Sequence, residues 1–109
     1  VLEWDDEDSQ ALHLLALDRD GRPIGTARLL PSGQIGRMAV LKSWRRQGIG
    51  SALLSALFEA AKNAHYPPLF LNAQLTALCF YERQGFIAEG ETFLEAGIPH
   101  LRMKLGSHD

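Results

Sequence analysis

The stretch Val40-Leu-Lys-Ser-Trp-Arg-Arg-Gln-Gly-Ile-Gly-Ser51 joins two segments of different hydrophobic period. Before it, Gln34 to Leu41 reads as a strand. After it, apolar residues fall at Ile49, Leu53, Leu54, Leu57, Phe58 and Ala61. That is helical spacing with one buried face, and it predicts a helix from Gly48 to about Asn63. Two arginines therefore stand at a strand-to-helix junction, followed by two glycines that flank Ile49 in the first helical turn.

Such a junction suits an anion. A helix start leaves backbone N–H groups unpaired and presents a partial positive charge. Glycines let a ligand approach that backbone, and Arg45 and Arg46 add charge suited to phosphate oxygens. A phosphate or pyrophosphate is the expected occupant. The other reading is a plain glycine-containing helix start with surface arginines. Two other phosphate loops are excluded: no Gly-Lys pair occurs anywhere, and Leu53 stands where G-x-G-x-x-G needs its third glycine.

Outward from this junction the pattern alternates. Residues 12–18 and 23–30 read as strands joined by a tight turn at Asp20-Gly21, and with 34–41 they form an antiparallel meander. Downstream, 69–73 is a short strand. A second helix runs from about Thr76 to Arg83, with Gly85 as its left-handed cap. Strands 86–93 and 98–105, joined through Glu95-Ala96-Gly97, close the chain. The order predicts an α/β fold of the α+β kind: one mixed, mostly antiparallel sheet with helices packed on it.

The bulk numbers set bounds. At 109 residues and 46% hydrophobic, residues 1–109 fit one compact domain. A net charge of -2 argues against a nucleic-acid partner. The acidic run Glu3, Asp5, Asp6, Glu7 and Asp8 reads as a solvated terminus. One cysteine, Cys79, rules out an internal disulfide framework, and its apolar neighbours suggest a small buried residue. No apolar run reaches the roughly 18 residues of a membrane span, and no signal-peptide pattern opens the chain, so a cytoplasmic protein is expected. No Cys, His, Asp and Glu cluster has metal-ligand spacing, and no metal is expected.

The junction resembles the [RQ]-x-x-G-x-[GA] motif of the GNAT superfamily of acyl-CoA N-acyltransferases, here Arg45, Arg46, Gln47, Gly48, Ile49 and Gly50. Met38, Ala39 and Val40 match the strand whose backbone pairs with the pantetheine arm of coenzyme A in that family. Lys42 stands where many members carry proline. Gln74 to Phe86 is similar to the superfamily's N-x-x-A-x-x-[FL]-Y-x-x-x-G-F stretch: Ala77, Phe80, Tyr81, Gly85 and Phe86 align, while Gln74 replaces asparagine. Glu95 to Met103 resembles the tail of the ElaA-like subfamily, as does Gln74.

The resemblance implies transfer of an acetyl group from acetyl-CoA to a primary amine, on a small molecule or a peptide, by direct attack on the thioester. Met38, Ala39, Val40, Arg45 through Ser51, Gln74 and Phe80 would contact the cofactor. Backbone N–H groups around Val40 would face the oxyanion, and Tyr81 the thiolate. A phenol near pKa 10 facing a thiol near about 8.5 makes full proton transfer uphill by roughly 2 kcal/mol, so a hydrogen bond to the thiolate serves at least as well. His100 would line the acceptor site. His13 reads as a strand residue, His65 as a helix-end cap and His108 as part of a frayed tail. The alternative function is a module that binds acyl-CoA with little or no turnover.

Superfamily members usually carry a strand and two helices before the segment matching Leu12, whereas eleven residues precede it here. The expectation is a fold lacking those elements, from a truncated chain or from one that protects strand 12–18 by pairing as a homodimer.

Overall fold

A computed structural model describes residues 1–5 and 10–106. The acidic residues Asp6 to Asp8, and His108, lie outside the described residues. The chain divides into two compact units, Val1–Pro67 and Pro68–Asp109.

The first unit is an antiparallel sheet in the order β1 (Leu2–Asp5), β2 (Leu12–Leu17), β3 (Pro23–Leu29), β4 (Gln34–Val40), followed by the helix α1 (Ile49–Asn63). The expected meander is present. At its Asp20-Gly21 turn, Asp18 Oδ1 accepts the N–H groups of Asp20 at 2.8 Å and Arg22 at 2.9 Å. One expectation is corrected. β2 is not an open edge, because β1 pairs along it from Leu2 opposite Ala16 to Asp5 opposite His13. Leu2 and Trp4 alternate with acidic residues, which is a strand period, but the segment is only four residues long.

α1 buries Leu53, Leu54, Leu57 and Ala61. The sheet supplies Leu14, Ala16, Ala27 and Leu29, none more than 3% exposed. Alternation along β2 and β3 puts these four on one face, as the register Leu14 opposite Ala27 and Leu12 opposite Leu29 requires. Gly25 lets the start of α1 approach β3: a Cβ there would lie 3.3 Å from Ile49 Cγ2, Leu53 Cδ1 and the Ala39 carbonyl oxygen. Leu57 has no exposed surface. Leu57→Ala should therefore lower stability by about 2–5 kcal/mol. A urea midpoint that shifts with an unchanged slope would show this, and an unmoved midpoint would remove Leu57 from the core.

The second unit orders its strands β5 (Phe70–Gln74), β7 (Ile98–Leu105), β6 (Phe86–Glu95), again antiparallel. A 3-10 turn, Leu75–Ala77, leads into α2 (Leu78–Arg83). Gly85 has φ +100 and its N–H reaches the Glu82 carbonyl at 3.1 Å, the left-handed cap expected there. β6 and β7 are joined by Ala96 and Gly97 at φ +52 and +76, a two-residue turn whose twist matches the strands.

Register assigns the faces of this sheet. Leu71, Ala73, Met103 and Phe86 point to one face and are almost fully buried. α2 lies on that face, since Tyr81 packs edge-on against Phe86 with ring centroids 5.9 Å apart. The opposite face carries Phe70, Asn72 and Gln74 from β5, His100 and Arg102 from β7, and Glu89, Phe93 and Glu95 from β6.

Candidate functional site

The expected site residues fall in both units. In the first, β4 carries a bulge: Thr26 pairs with Ala39 and Arg28 with Gly36, so Arg37 and Met38 together oppose Ala27. Arg37 adopts φ +48 to absorb the extra residue. A bulge interrupts the ladder and re-aims the strand beyond it, here Met38, Ala39 and Val40. Strand pairing toward β3 resumes at Ala39 and Val40.

After Val40 the chain makes a 3-10 turn over Lys42–Trp44, held by the Trp44 N–H to the Leu41 carbonyl at 2.8 Å. Arg46 then takes φ +64 and Gly48 φ +80. Gly48 is the N-cap of α1, without a side-chain cap, and the first turn holds no acidic residue. The first intrahelical bond runs from the Ala52 N–H to the Gly48 carbonyl at 3.0 Å. The turn from Gly48 to Gly50 thus presents N–H groups that the helix itself does not use, beside the exposed side chains of Lys42, Arg45 and Arg46. A Cβ built on Gly48 meets nothing within 4 Å, so the space above this turn is open. Positive charge, unpaired donors and open space together fit a phosphate or pyrophosphate.

Arg45 has a second task. Its Nε donates to the Val40 carbonyl at 3.0 Å and ties the loop to the end of β4. One of its five donors is thereby used inside the protein. Gln47, Gly48 and Ile49 also line a pocket of about 220 Å³ with Leu17 and Ile24. A larger groove of about 1150 Å³ lies away from the loop, between β1, β2 and the flank of α1, and is lined largely by apolar groups such as Leu2, Trp4 and Ala56.

In the second unit, Tyr81 is 9% exposed and packs edge-on against Phe80 at 5.1 Å as well as Phe86. Burial pushes its phenol pKa up from the usual 10.0. Tyr81 is thus a neutral hydrogen-bond donor throughout the neutral range. Cys79 corrects an expectation, for it is exposed. α2 buries Tyr81 and half-buries Leu78 and Phe80, and it leaves Cys79 on its exposed side with Glu82 and Arg83, three and four residues on.

Gln74 and His100 come from different motifs and stand directly opposite each other, on β5 and β7. Their face of the sheet is the one opposite to Tyr81. Apart from the Tyr81 phenol, His100 is the one buried polar side chain among the described residues, at 6% exposure. Its Nδ1 lies 2.7 Å from the Ile98 carbonyl oxygen, and its Nε2 lies 3.4 Å from Glu95 Oε2. The Phe93 ring stacks on it, with centroids 6.0 Å apart. Glu95 and Phe93 are the members of this group that motif reading did not single out. Their signal was the two-residue turn, which returns β6 beside His100. His13 is a strand residue, half-buried on β2, with Nε2 buried and without a partner. His65, at φ +55, follows the end of α1 and directs its N–H to Lys62, as a helix-end residue should.

The family model for the acetyltransferase (GNAT) domain matches residues 3–107. The chain belongs to the GNAT family. YjcF of Bacillus subtilis, which bears the name of an N-acetyltransferase, is 35% identical over 105 residues, 93% of this chain and 74% of its own length. ElaA of Escherichia coli is 33% identical over 110 residues, 94% of this chain and 71% of its own. The ElaA crystal structure aligns with a TM-score of 0.77 over 95% of this chain and 77% of that one. The structure of a putative streptothricin acetyltransferase from Bacillus anthracis, in complex with acetyl coenzyme A, shares the fold. Its TM-score is 0.78 at 23% identity, covering 94% of this chain and 65% of that one. The ElaA-like resemblance and the α+β fold are thus both upheld, and the GNAT domain is an acyltransferase. Among the described residues, no helix is long and apolar enough to cross a membrane.

Proposed function

We propose that this GNAT domain transfers the acetyl group of acetyl-CoA to a primary amine by direct attack of the neutral amine on the thioester. The observation that carries the proposal is the start of α1. Gly48 at φ +80 opens an uncapped turn with no acidic residue, beside Arg45 and Arg46. In this reading the backbone of Gly48 to Ser51 and the two arginines hold the pyrophosphate. Met38, Ala39 and Val40, beyond the bulge, offer main-chain groups to the pantetheine amides and to the oxyanion. Gln47, Ile49, Gln74 and Phe80 complete the cofactor contacts. As the C–N bond forms and the C–S bond breaks, Tyr81 donates a hydrogen bond to the departing thiolate. Its raised pKa makes outright proton transfer to sulfur still more uphill than for a free phenol. His100 belongs to the acceptor side. The acetyl-CoA seen with the Bacillus anthracis protein is consistent with this choice of donor.

The test is thiol release from acetyl-CoA across a panel of primary amines, with binding followed separately by calorimetry. Release that depends on the amine is expected. Binding without release on any amine would point instead to a module that holds acyl-CoA.

A further inference from the structure

We infer that Glu95, held by His100, is the anion that receives the acceptor amine as its ammonium ion and takes the proton it must lose. The inference rests on the acetyl-transfer reading above and adds to it a substrate class: an amine that arrives positively charged, at a carboxylate rather than in an apolar slot.

The Ile98 carbonyl oxygen only accepts, so at 2.7 Å the Nδ1 of His100 carries the proton. Nε2 is then the ring's remaining site for a proton, and it faces Glu95 Oε2 at 3.4 Å. A histidine that served only to fill space would not need both nitrogens directed at acceptors. Phe93 fixes the ring plane by stacking on it. The tight turn through Ala96 and Gly97 fixes the separation of Glu95 from His100. The imidazole is buried, with side-chain exposure of 8%, while Glu95 stays 53% exposed. The pair therefore has an inner member that orients and an outer member that meets solvent.

The charges nearby leave Glu95 available. Arg102, on the same face, is already paired through Nε with Glu89 Oε1 at 3.1 Å, and its guanidinium lies 4.2 Å over the Phe70 ring. Lys104 lies further along β7, opposite Phe70 and Ile87. No lysine or arginine among the described residues forms an ion pair with Glu95. Gln74, opposite His100, adds an amide but no charge. An exposed carboxylate at the end of β6, opposite Ile98 and backed by a buried histidine that itself stands opposite Gln74, suits an ammonium guest.

The step balances simply. The ammonium gives one proton to the Glu95 carboxylate and becomes the neutral amine, whose lone pair can attack the thioester. Glu95 then returns that proton to water and is again an anion. Once the C–N bond has formed, the nitrogen loses its second proton to water as the C–S bond breaks, and the departing thiolate takes up a proton from water to leave as the thiol. Glu95 is the residue that touches substrate, and His100 is a positioning residue.

The experiment follows the histidine ring resonances of the full chain by NMR, with His100 assigned from their loss in His100→Gln. The protein is titrated with n-butylammonium chloride and, in parallel, with n-butanol. A saturable shift of the His100 ring with butylammonium, absent with butanol, is expected. In Glu95→Gln the apparent affinity for butylammonium should fall at least about tenfold, with acetyl-CoA affinity and melting temperature held within error. With any amine that turns over, Glu95→Gln should raise KM and lower kcat, which a mere hairpin staple would not do. An equal response to butanol, no response to either, or an unchanged Glu95→Gln titration would each overturn the inference. Failure of the wild type to bind or turn over acetyl-CoA is a separate result and bears on the acetyl-transfer reading.

Discussion

Gly48→Val should weaken acetyl-CoA binding by about a hundredfold or more, a loss of ~2.7 kcal/mol in binding free energy. Two effects add. At φ +80 a β-branched residue is disfavoured, and a left-handed residue with a side chain costs about 1–2 kcal/mol. The loop would relax toward conventional angles and turn its N–H groups away from a common point. The side chain would also fill space that is open above the native glycine, where the phosphate oxygens are expected. Gly48→Ala shares the first effect and little of the second, so it should fall between wild type and valine. Calorimetry with acetyl-CoA checks the order, with circular dichroism to show that α1 persists. Equal affinity in all three proteins would remove the loop from cofactor binding.

The second large effect is on chemistry. Tyr81→Phe should lower kcat by about 10²–10³, the range seen when one donor to a developing negative charge is removed, with little change in KM for acetyl-CoA. The ring keeps its packing against Phe80 and Phe86, so the fold should survive. A pH series adds an independent sign. Burial raises the Tyr81 pKa in the folded chain above its unfolded value near 10.0. The unfolded chain therefore releases this proton first as pH rises, and the folded state binds more protons above pH 10. Tyr81's contribution is present below that pH and is lost from about pH 10 up toward the raised folded value. The wild-type chain should lose stability there more steeply than Tyr81→Phe. Full turnover by Tyr81→Phe would take the phenol out of the mechanism.

Much of this was legible from residue order, for reasons that differ by element. α1 was plain because its apolar face repeats over fifteen residues and its start is marked by two glycines. Turns were plain where a left-handed residue is needed, at Gly21 and Gly85. β1 was missed because four residues with two apolar positions carry too little periodic signal, and an acidic run follows them. Cys79 was misread because its neighbours in sequence are apolar, whereas exposure on a six-residue helix depends on which side Tyr81 turns inward. The bulge that sets the direction of Met38 to Val40 left no mark either, since Arg37 is not a residue that announces a positive φ. The partnership of Glu95 with His100 needed the register of β6 on β7, which local sequence cannot supply.

The central claim is that the start of α1 holds the pyrophosphate of coenzyme A. Its most direct test compares acetyl-CoA with S-acetylpantetheine, which keeps the thioester and the pantetheine amides but has no phosphate. Titration calorimetry on the wild-type chain should show acetyl-CoA binding at least about a hundredfold more tightly. Added salt should weaken acetyl-CoA binding and leave the smaller ligand nearly unaffected. Equal affinities for the two ligands, or no binding of acetyl-CoA at all, would contradict the claim.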